Sequence, residues 1–325
     1  MANHHIFFVL ITLVIPSISQ ADSATCRNSP KKLFVFGDSY LDTGNSPPDF
    51  PAWRLPYGIS LGKPNGRFCD GLLWTDQLAT LMGLDTLVPY SRVSASNKES
   101  TRNGVNFAVG GSSLFPNPFV NVTMEVQMIQ FKELANGGAF TECDLKNSVA
   151  FVSISINDYL AYNRFTFPNA PYTAAIVAQL KANLQLLHVF GIGKIAVASL
   201  PPLGCLSDLA SDSAYPGSCN QKVNEGTRSH NEALKAAVDA LNEGNNGNNI
   251  EYVDFYGGFL AAMDEQARTA NWNPTKRCCV NCDKPTYEVC DNPGQAFFWD
   301  GNHPAQNGWR LVFEKLKGDM ERWLA

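Results

Sequence analysis

The chain of 325 residues is short of several things, and each shortage closes off a class of function. Its 25 lysines and arginines lie scattered among 30 acidic residues, so no basic stripe is available to a nucleic acid. Beyond residue 21 no apolar run reaches the roughly 20 residues that span a bilayer, so the mature chain holds no integral membrane segment. No repeat, charged linker or shift in composition divides the chain, which leaves one domain over 22–325. No glycine-rich phosphate loop opens a helix, since Gly191-Ile192-Gly193 stands at a helix end before a strand. Histidine occurs 5 times, and beyond residue 21 only as His188, His230 and His303, so a general base has few candidates.

The start of the chain differs from the rest. Residues 6–15 carry no charge, Pro16 breaks the run, and Ser19-Gln20-Ala21 sets small residues at a cleavage site. This pattern predicts a secretory signal peptide over 1–21 and a secreted, extracellular product. All 9 cysteines follow Ala21, and an oxidising compartment pairs most of them and leaves one over. Cys205 and Cys219 bracket a loop rich in Pro, Gly and Ser and form the best local pair. Cys278, Cys279, Cys282 and Cys290 crowd one loop, where C-x-x-C invites a zinc reading. Secretion and the lack of a clean second C-x-x-C favour disulfides, with the pairing left open. Asn121-Val122-Thr123 is a clear N-glycosylation acceptor and implies a surface position.

What the chain does have is organised around residues 33–45, LFVFGDSYLDTGN. Residues 33–36 read as a short buried strand, broken by Gly37 and Asp38, with Ser39 at its carboxyl end. Further strands are predicted over 103–109, 148–156, 194–200 and 250–255. Helices are predicted over 72–82, 124–135, 174–190 and 222–241, with a last one starting near Pro304. Strands alternating with amphipathic helices predict an α/β fold, a five-stranded parallel sheet wrapped on both sides. In such a sheet Ser39, Gly110-Gly111 and Asn157-Asp158 leave neighbouring strand ends on one carboxyl edge, where ligands bind. Taken alone, Gly-Asp-Ser is only turn chemistry after a strand. Gly58-Ile59-Ser60-Leu61-Gly62 matches the G-x-S-x-G elbow, but its Pro- and Gly-rich flanks are neither strand nor helix, so Ser60 is rejected as a nucleophile.

A serine hydroxyl needs a base. His188 shares a helix face with Lys181 and Gln185 and reads as exposed; His230 reads as a hydrogen-bonded core residue. His303 lies on a loop entering a helix, fixed by Pro304, and Asp300 three residues earlier is in reach of its far ring nitrogen. A helix cap or a metal pair would also explain D-x-x-H, but no third ligand with fitting spacing accompanies it.

The ordered blocks FVFGDSYLDTGN, PNGRFCDG, GVNFAVGGSS, SINDY, LPPLGC and FWDGNHP resemble the GDSL esterase/lipase family, the SGNH hydrolases, in its plant-type branch. The resemblance covers nearly all of the chain after residue 21. It implies a three-layer αβα, flavodoxin-like SGNH hydrolase fold. It implies Ser39 as nucleophile, His303 as base and Asp300 as the residue orienting it. It implies an oxyanion hole from the N–H groups of Ser39 and Gly111 and the amide of Asn157. No cofactor or metal is implied, and the partner is a small-molecule or lipid ester. Two positions depart from the pattern: Tyr40 stands where Leu is frequent, and Ser155 where glycine is expected. Glycine permits backbone that serine resists, which bears on the geometry at Asn157.

The leading expectation is therefore a secreted serine esterase working through an acyl-enzyme. An acyltransferase handing the same acyl group to an alcohol, and a catalytically impaired binding protein on this scaffold, are the alternatives. Phe115, Phe119, Phe165 and Phe167 are candidates to line an acyl pocket.

Overall fold

Residues 33–36, 149–152 and 195–198 are runs of apolar and small side chains, a composition that forms strands where both faces are covered. The computed structural model describes residues 26, 31–94, 98–162, 170–244, 250–269 and 273–325. In it these runs are neighbouring inner strands of a 6-stranded parallel sheet. The strands are β1 (Leu33–Gly37), β2 (Val88–Pro89), β3 (Gly104–Asn106), β4 (Val149–Ser153), β5 (Lys194–Ala198) and β6 (Ile250–Val253), in the order β2-β3-β1-β4-β5-β6. Leu33 is in register with Gly104 on one side and Val149 on the other.

The sheet has six strands where the sequence predicts five. The addition is β2, whose two residues are too few to show a period. Its Pro89 donates nothing to a ladder and suits an edge. The strand predicted over 103–109 is assigned only to β3, yet Phe107 N–H still donates to Val35 O (2.8 Å) and Val109 N–H to Gly37 O (3.1 Å).

The helices are α1 (Trp74–Leu81), α2 (Met124–Asn136), α3 (Glu142–Lys146), α4 (Ile156–Tyr162), α5 (Ala170–Val189), α6 (Gln221–Gly244), α7 (Phe255–Thr269) and α8 (Gln306–Leu324). Alternation along β1 sends Phe34 and Phe36 to one face, where both meet Phe131 of α2. Phe151, in register with Val35, points to the other face and meets Trp74 of α1. In the first layer α2 packs on α5 and α5 on α6; in the other, α1 and α7 both pack on α8. The result is a three-layer αβα fold. Helix α7 is not foreseen: the strand predicted over 250–255 ends at Val253, and Asp254 caps the new helix by accepting from Gly257 N–H (3.0 Å). Helix α8 begins at Gln306, after Pro304, which instead bridges back to Phe298. Among the described residues no helix is long and apolar enough to cross a membrane.

Four disulfides form: Cys26–Cys143, Cys205–Cys219, Cys278–Cys290 and Cys279–Cys282. Cys69 is left free and buried. The crowded cysteines carry a small antiparallel pair, β7 (Cys279–Val280) and β8 (Glu288–Val289). Cys278, Cys279 and Cys282 pack with Tyr57, Ala296, Trp299 and Ala305 in a second cluster apart from the main core.

Candidate active site

Strand β1 lies between β3 and β4, and all three run parallel, so their exits open on one edge of the sheet. Gln127 of α2 clasps the end of β1, accepting from Gly37 N–H (2.9 Å) and donating to Gly37 O (2.8 Å). The turn after Ser39 is gathered by buried Asp42. Its carboxylate accepts from the N–H of Gly44 and Asn45 (both 2.7 Å), from Ser46 N–H (3.1 Å) and, across the site, from Gly110 N–H (2.9 Å). One side chain thereby fixes the glycine pair relative to the serine. Asp42 is a residue the sequence reasoning missed, since an Asp in a turn signals only a local Asx bond.

Ser39 Oγ lies 2.8 Å from His303 Nε2. His303 Nδ1 lies 2.8 Å from Asp300 Oδ2 and 2.9 Å from Oδ1. A carboxylate only accepts, so Nδ1 carries the ring proton and Nε2 is left to accept from the serine hydroxyl. Asp300 Oδ1 also accepts from the backbone N–H of Asn302 (2.9 Å) and His303 (2.8 Å), which folds the loop over its own carboxylate. Burial opposes a charge on His303, yet the Asp300 carboxylate prevails and holds its pKa above the ordinary histidine value. Burial likewise works against the Asp300 anion, and His303 with the hydrogen bonds overcomes it, leaving its pKa below the usual range.

The loop bearing this pair is held from three sides. Trp299 N–H donates to His303 O (2.8 Å), and the disulfide-bonded segment donates from Cys278 N–H to Phe298 O (3.0 Å) and Cys279 N–H to Trp299 O (2.7 Å). Tyr40 O–H donates to Asn302 O (2.8 Å), so the departure beside Ser39 ties the end of β1 to the histidine loop. Asp208 N–H donates to Gly301 O (2.9 Å). A Cβ on Gly301 would stand 2.2 Å from the Asp208 carboxylate, so a side chain there would push Asp208 aside.

Gly111 and Asn157 line the same cleft as Ser39 and His303. Gly111 has φ +85°, the left-handed region that glycine enters freely. Asn157, in the first turn of α4, donates from Nδ2 to Ser112 O (2.8 Å), and an amide nitrogen carries a second donor. Asp158 accepts from the N–H of Leu114 and Phe115 (both 3.0 Å), tying α4 to the loop beyond Gly111. Ser155 does adopt the backbone expected of a glycine, with φ 100°, and its buried hydroxyl has no hydrogen-bond partner among the described residues.

The cleft has a volume of about 520 Å³, within the usual range for a small-molecule site. Phe50, Phe68, Phe119, Ile156, Leu160 and Leu209 give it an apolar wall; Asp208 and Asn302 stand among its polar lining. Asp38, beside Ser39, is fully buried; it accepts from Tyr40 N–H (3.1 Å), and burial pushes its carboxyl up to about 7. Of the phenylalanines singled out from the sequence, Phe119 lines the cleft and Phe115 packs against the main core, while Phe165 and Phe167 lie outside the described residues. So does the segment predicted to be a signal peptide.

The other candidates separate as the sequence suggests. His188 is exposed. His230 is 1% exposed, bonded through Nδ1 to Tyr159 O–H (2.8 Å), and burial lowers its pKa to about 3. Ser60 donates to Asp70 (2.7 Å), in a short 3-10 turn rather than at a strand end. Asn121 is exposed. Among the described residues no group of three or more His, Cys, Asp or Glu is placed to hold a metal, and the crowded cysteines are consumed by disulfides.

A family model described as GDSL-like lipase/acylhydrolase matches residues 33–316. A GDSL esterase/lipase of Arabidopsis thaliana is 38% identical over 314 residues, covering 90% of this chain and 87% of its own length. A second GDSL esterase/lipase of the same plant is 36% identical over 314 residues, covering 89% and 88%. Among solved structures, Est24, a carbohydrate acetylesterase from Sinorhizobium meliloti, aligns with a TM-score of 0.44 at 14% identity, over 89% of this chain and 98% of that one.

Proposed function

The chain belongs to the GDSL-like lipase/acylhydrolase family, a family of ester-cleaving enzymes, and from that premise we propose that it is a secreted serine esterase working through Ser39, His303 and Asp300. The reading rests on one observation above the others: Ser39 Oγ, His303 and Asp300 form a continuous hydrogen-bonded line, each contact 2.8 Å, opening on an apolar cleft. Ser39 attacks the ester carbonyl as His303 Nε2 takes its proton. Asp300 holds the ring in the required tautomer and stabilises the imidazolium that forms. The oxyanion develops against the N–H groups of Ser39 and Gly111 and the free donor of Asn157. His303 then returns the proton to the leaving alcohol, and the same base activates water to release the acid from the acyl-enzyme. The apolar wall takes the acyl chain. Secretion is supported by the four disulfides, which persist in oxidising compartments. Exposed Asn121 is then open to glycosylation.

The test uses the mature protein, a fluorophosphonate probe and a short-chain aryl ester. Wild type is expected to label and turn over. Ser39→Ala is expected to do neither, with kcat lower by about 10⁴- to 10⁶-fold, the scale of losing a nucleophile. Labelling that survives in Ser39→Ala overturns the assignment.

A further inference from the structure

The long segment between Asn45 and Phe68 lends Phe50 and Phe68 to the wall of the cleft, and it also reaches the far side of the acid–base pair. We infer that Tyr57 is a positioning residue that grips the Asp300 carboxylate with its hydroxyl and, through it, governs His303. The inference rests on the serine-esterase reading of the site.

Tyr57 O–H donates to Asp300 Oδ2 at 2.8 Å across 243 residues of chain. The two backbone donors to Asp300 come from its own loop, and both go to Oδ1. Oδ2 accepts from Tyr57 and from His303 Nδ1. Among the described residues, Tyr57 is thus the donor to this carboxylate that comes from outside the 300–303 loop. It checks the rotation that would carry Oδ2 away from the imidazole. Its ring cannot readily follow such a rotation. It is 3% exposed, packed edge-on to Trp299 and Phe68 and seated in the cluster of disulfide-bonded cysteines. Phe68, at the other end of the same segment, lies 5.2 Å from the His303 ring. The segment therefore braces both members of the pair.

The phenol also acts on charge. Burial and the Asp300 charge push its pKa far up, so it remains a donor at every working pH. A donor on Oδ2 draws off part of the carboxylate charge that favours the imidazolium. Removing it leaves more of that charge on His303 and raises the pH needed to free the base. The other groups that face the pair are Asp38 and Tyr40 after the end of β1, Asp208 paired with Arg277, Asp283 paired with Lys284, and the buried thiol of Cys69. None is altered by a change confined to the Tyr57 hydroxyl.

The experiment measures kcat/KM against pH in Tyr57→Phe, which keeps the ring and its packing. The plateau is expected to fall about ten-fold, the lower scale of one hydrogen bond to a charged group. The acid limb is expected to move up by about half a pH unit. Replacing Tyr57 by 3-fluorotyrosine, a stronger donor of nearly the same shape, is expected to move the limb the opposite way. This second variant keeps the test open if Tyr57→Phe folds poorly. Limbs that stay at the wild-type pH in both variants, whatever happens to the plateau, overturn the inference and leave Tyr57 a packing residue. Failure of the esterase reading itself would show earlier, as wild type without Ser39-dependent turnover.

Discussion

Ser155 sits at φ 100°, where an L side chain is held at a cost of about 1–3 kcal/mol. Its buried hydroxyl, without a partner among the described residues, adds the cost of an unpaired polar group, about 1–3 kcal/mol. Against this, a glycine at the position would lose about 0.5–1 kcal/mol more chain entropy on folding. The balance favours Ser155→Gly by about 1–5 kcal/mol, which a thermal melt should show as a Tm higher by about 2–8 °C. Ser155→Ala separates the two costs: it removes the orphaned hydroxyl and keeps the strain, and is expected to recover less than glycine does. A Tm for the glycine variant at or below wild type would show that the surrounding contacts hold Ser155 more firmly than its torsion resists. The anomaly is legible in the sequence, because a serine stands where the pattern asks for glycine. That the chain tolerates the glycine-like backbone, and still delivers Asn157 to the cleft, is visible only in the torsion angle. Tyr57 and Asp42 are illegible for the same reason in a different form. Their partners are set by topology, across distances in sequence that no local pattern encodes.

The loop from Phe297 to Ala305 is the element on which the site depends, and neighbours outside it supply much of its rigidity. The disulfide-bonded segment donates two backbone hydrogen bonds to it, from Cys278 and Cys279. Opening Cys278–Cys290 with paired alanines removes a cross-link of sequence separation 12, about 3 kcal/mol by loop-closure entropy. It also frees the segment that steadies Trp299, so kcat is expected to fall along with Tm. Cys26–Cys143 supplies the comparison. Its separation is 117, so its loss costs more by the same reckoning, about 4–5 kcal/mol, but Cys143 lies on α3, away from the cleft. Opening it is expected to lower Tm and leave kcat near wild type. Equal effects on kcat from the two pairs would show that the segment contributes stability alone. The sequence announces that these cysteines pair but not how, because four cysteines within one loop allow several connectivities. The strands and long helices are more legible, since each carries its own period. The exceptions are β2, β7 and β8, each two residues long and too short to have one, and α7, whose start is marked by the cap at Asp254 rather than by periodicity.

The three-layer architecture follows from alternating strands and helices, and it has a consequence for how the whole molecule responds to acid. His230 on α6 is sealed against Tyr159 of α4 and held neutral, its pKa lowered to about 3 by burial. In the unfolded chain it titrates near 6.5. Above that value both states are neutral and the fold bears no penalty. As pH falls below it, the unfolded chain takes up a proton that the folded protein refuses, and stability is lost progressively toward pH 3. By pH 5 the loss from this one side chain is about 2 kcal/mol. Two buried carboxyls act in the opposite sense. Burial raises Asp38 to about 7 and Asp158 to about 6, so the folded protein takes up these protons before the unfolded chain does. Acidification from neutral pH therefore strengthens the fold through them and masks His230 in any single pH profile. The difference between wild type and His230→Gln removes the mask, because both proteins carry the same aspartates. Glutamine can still bond the Tyr159 hydroxyl but cannot titrate. Its unfolding free energy from urea titration is expected to lie below wild type at pH 7.5 and to gain about 2 kcal/mol on wild type by pH 5. Parallel curves would mean that the folded protein admits the proton to His230 after all, through an opening of α6 against α4. That opening would disturb the helix carrying Asn157 and should then show as hydrogen exchange in α4 that quickens over the same pH range.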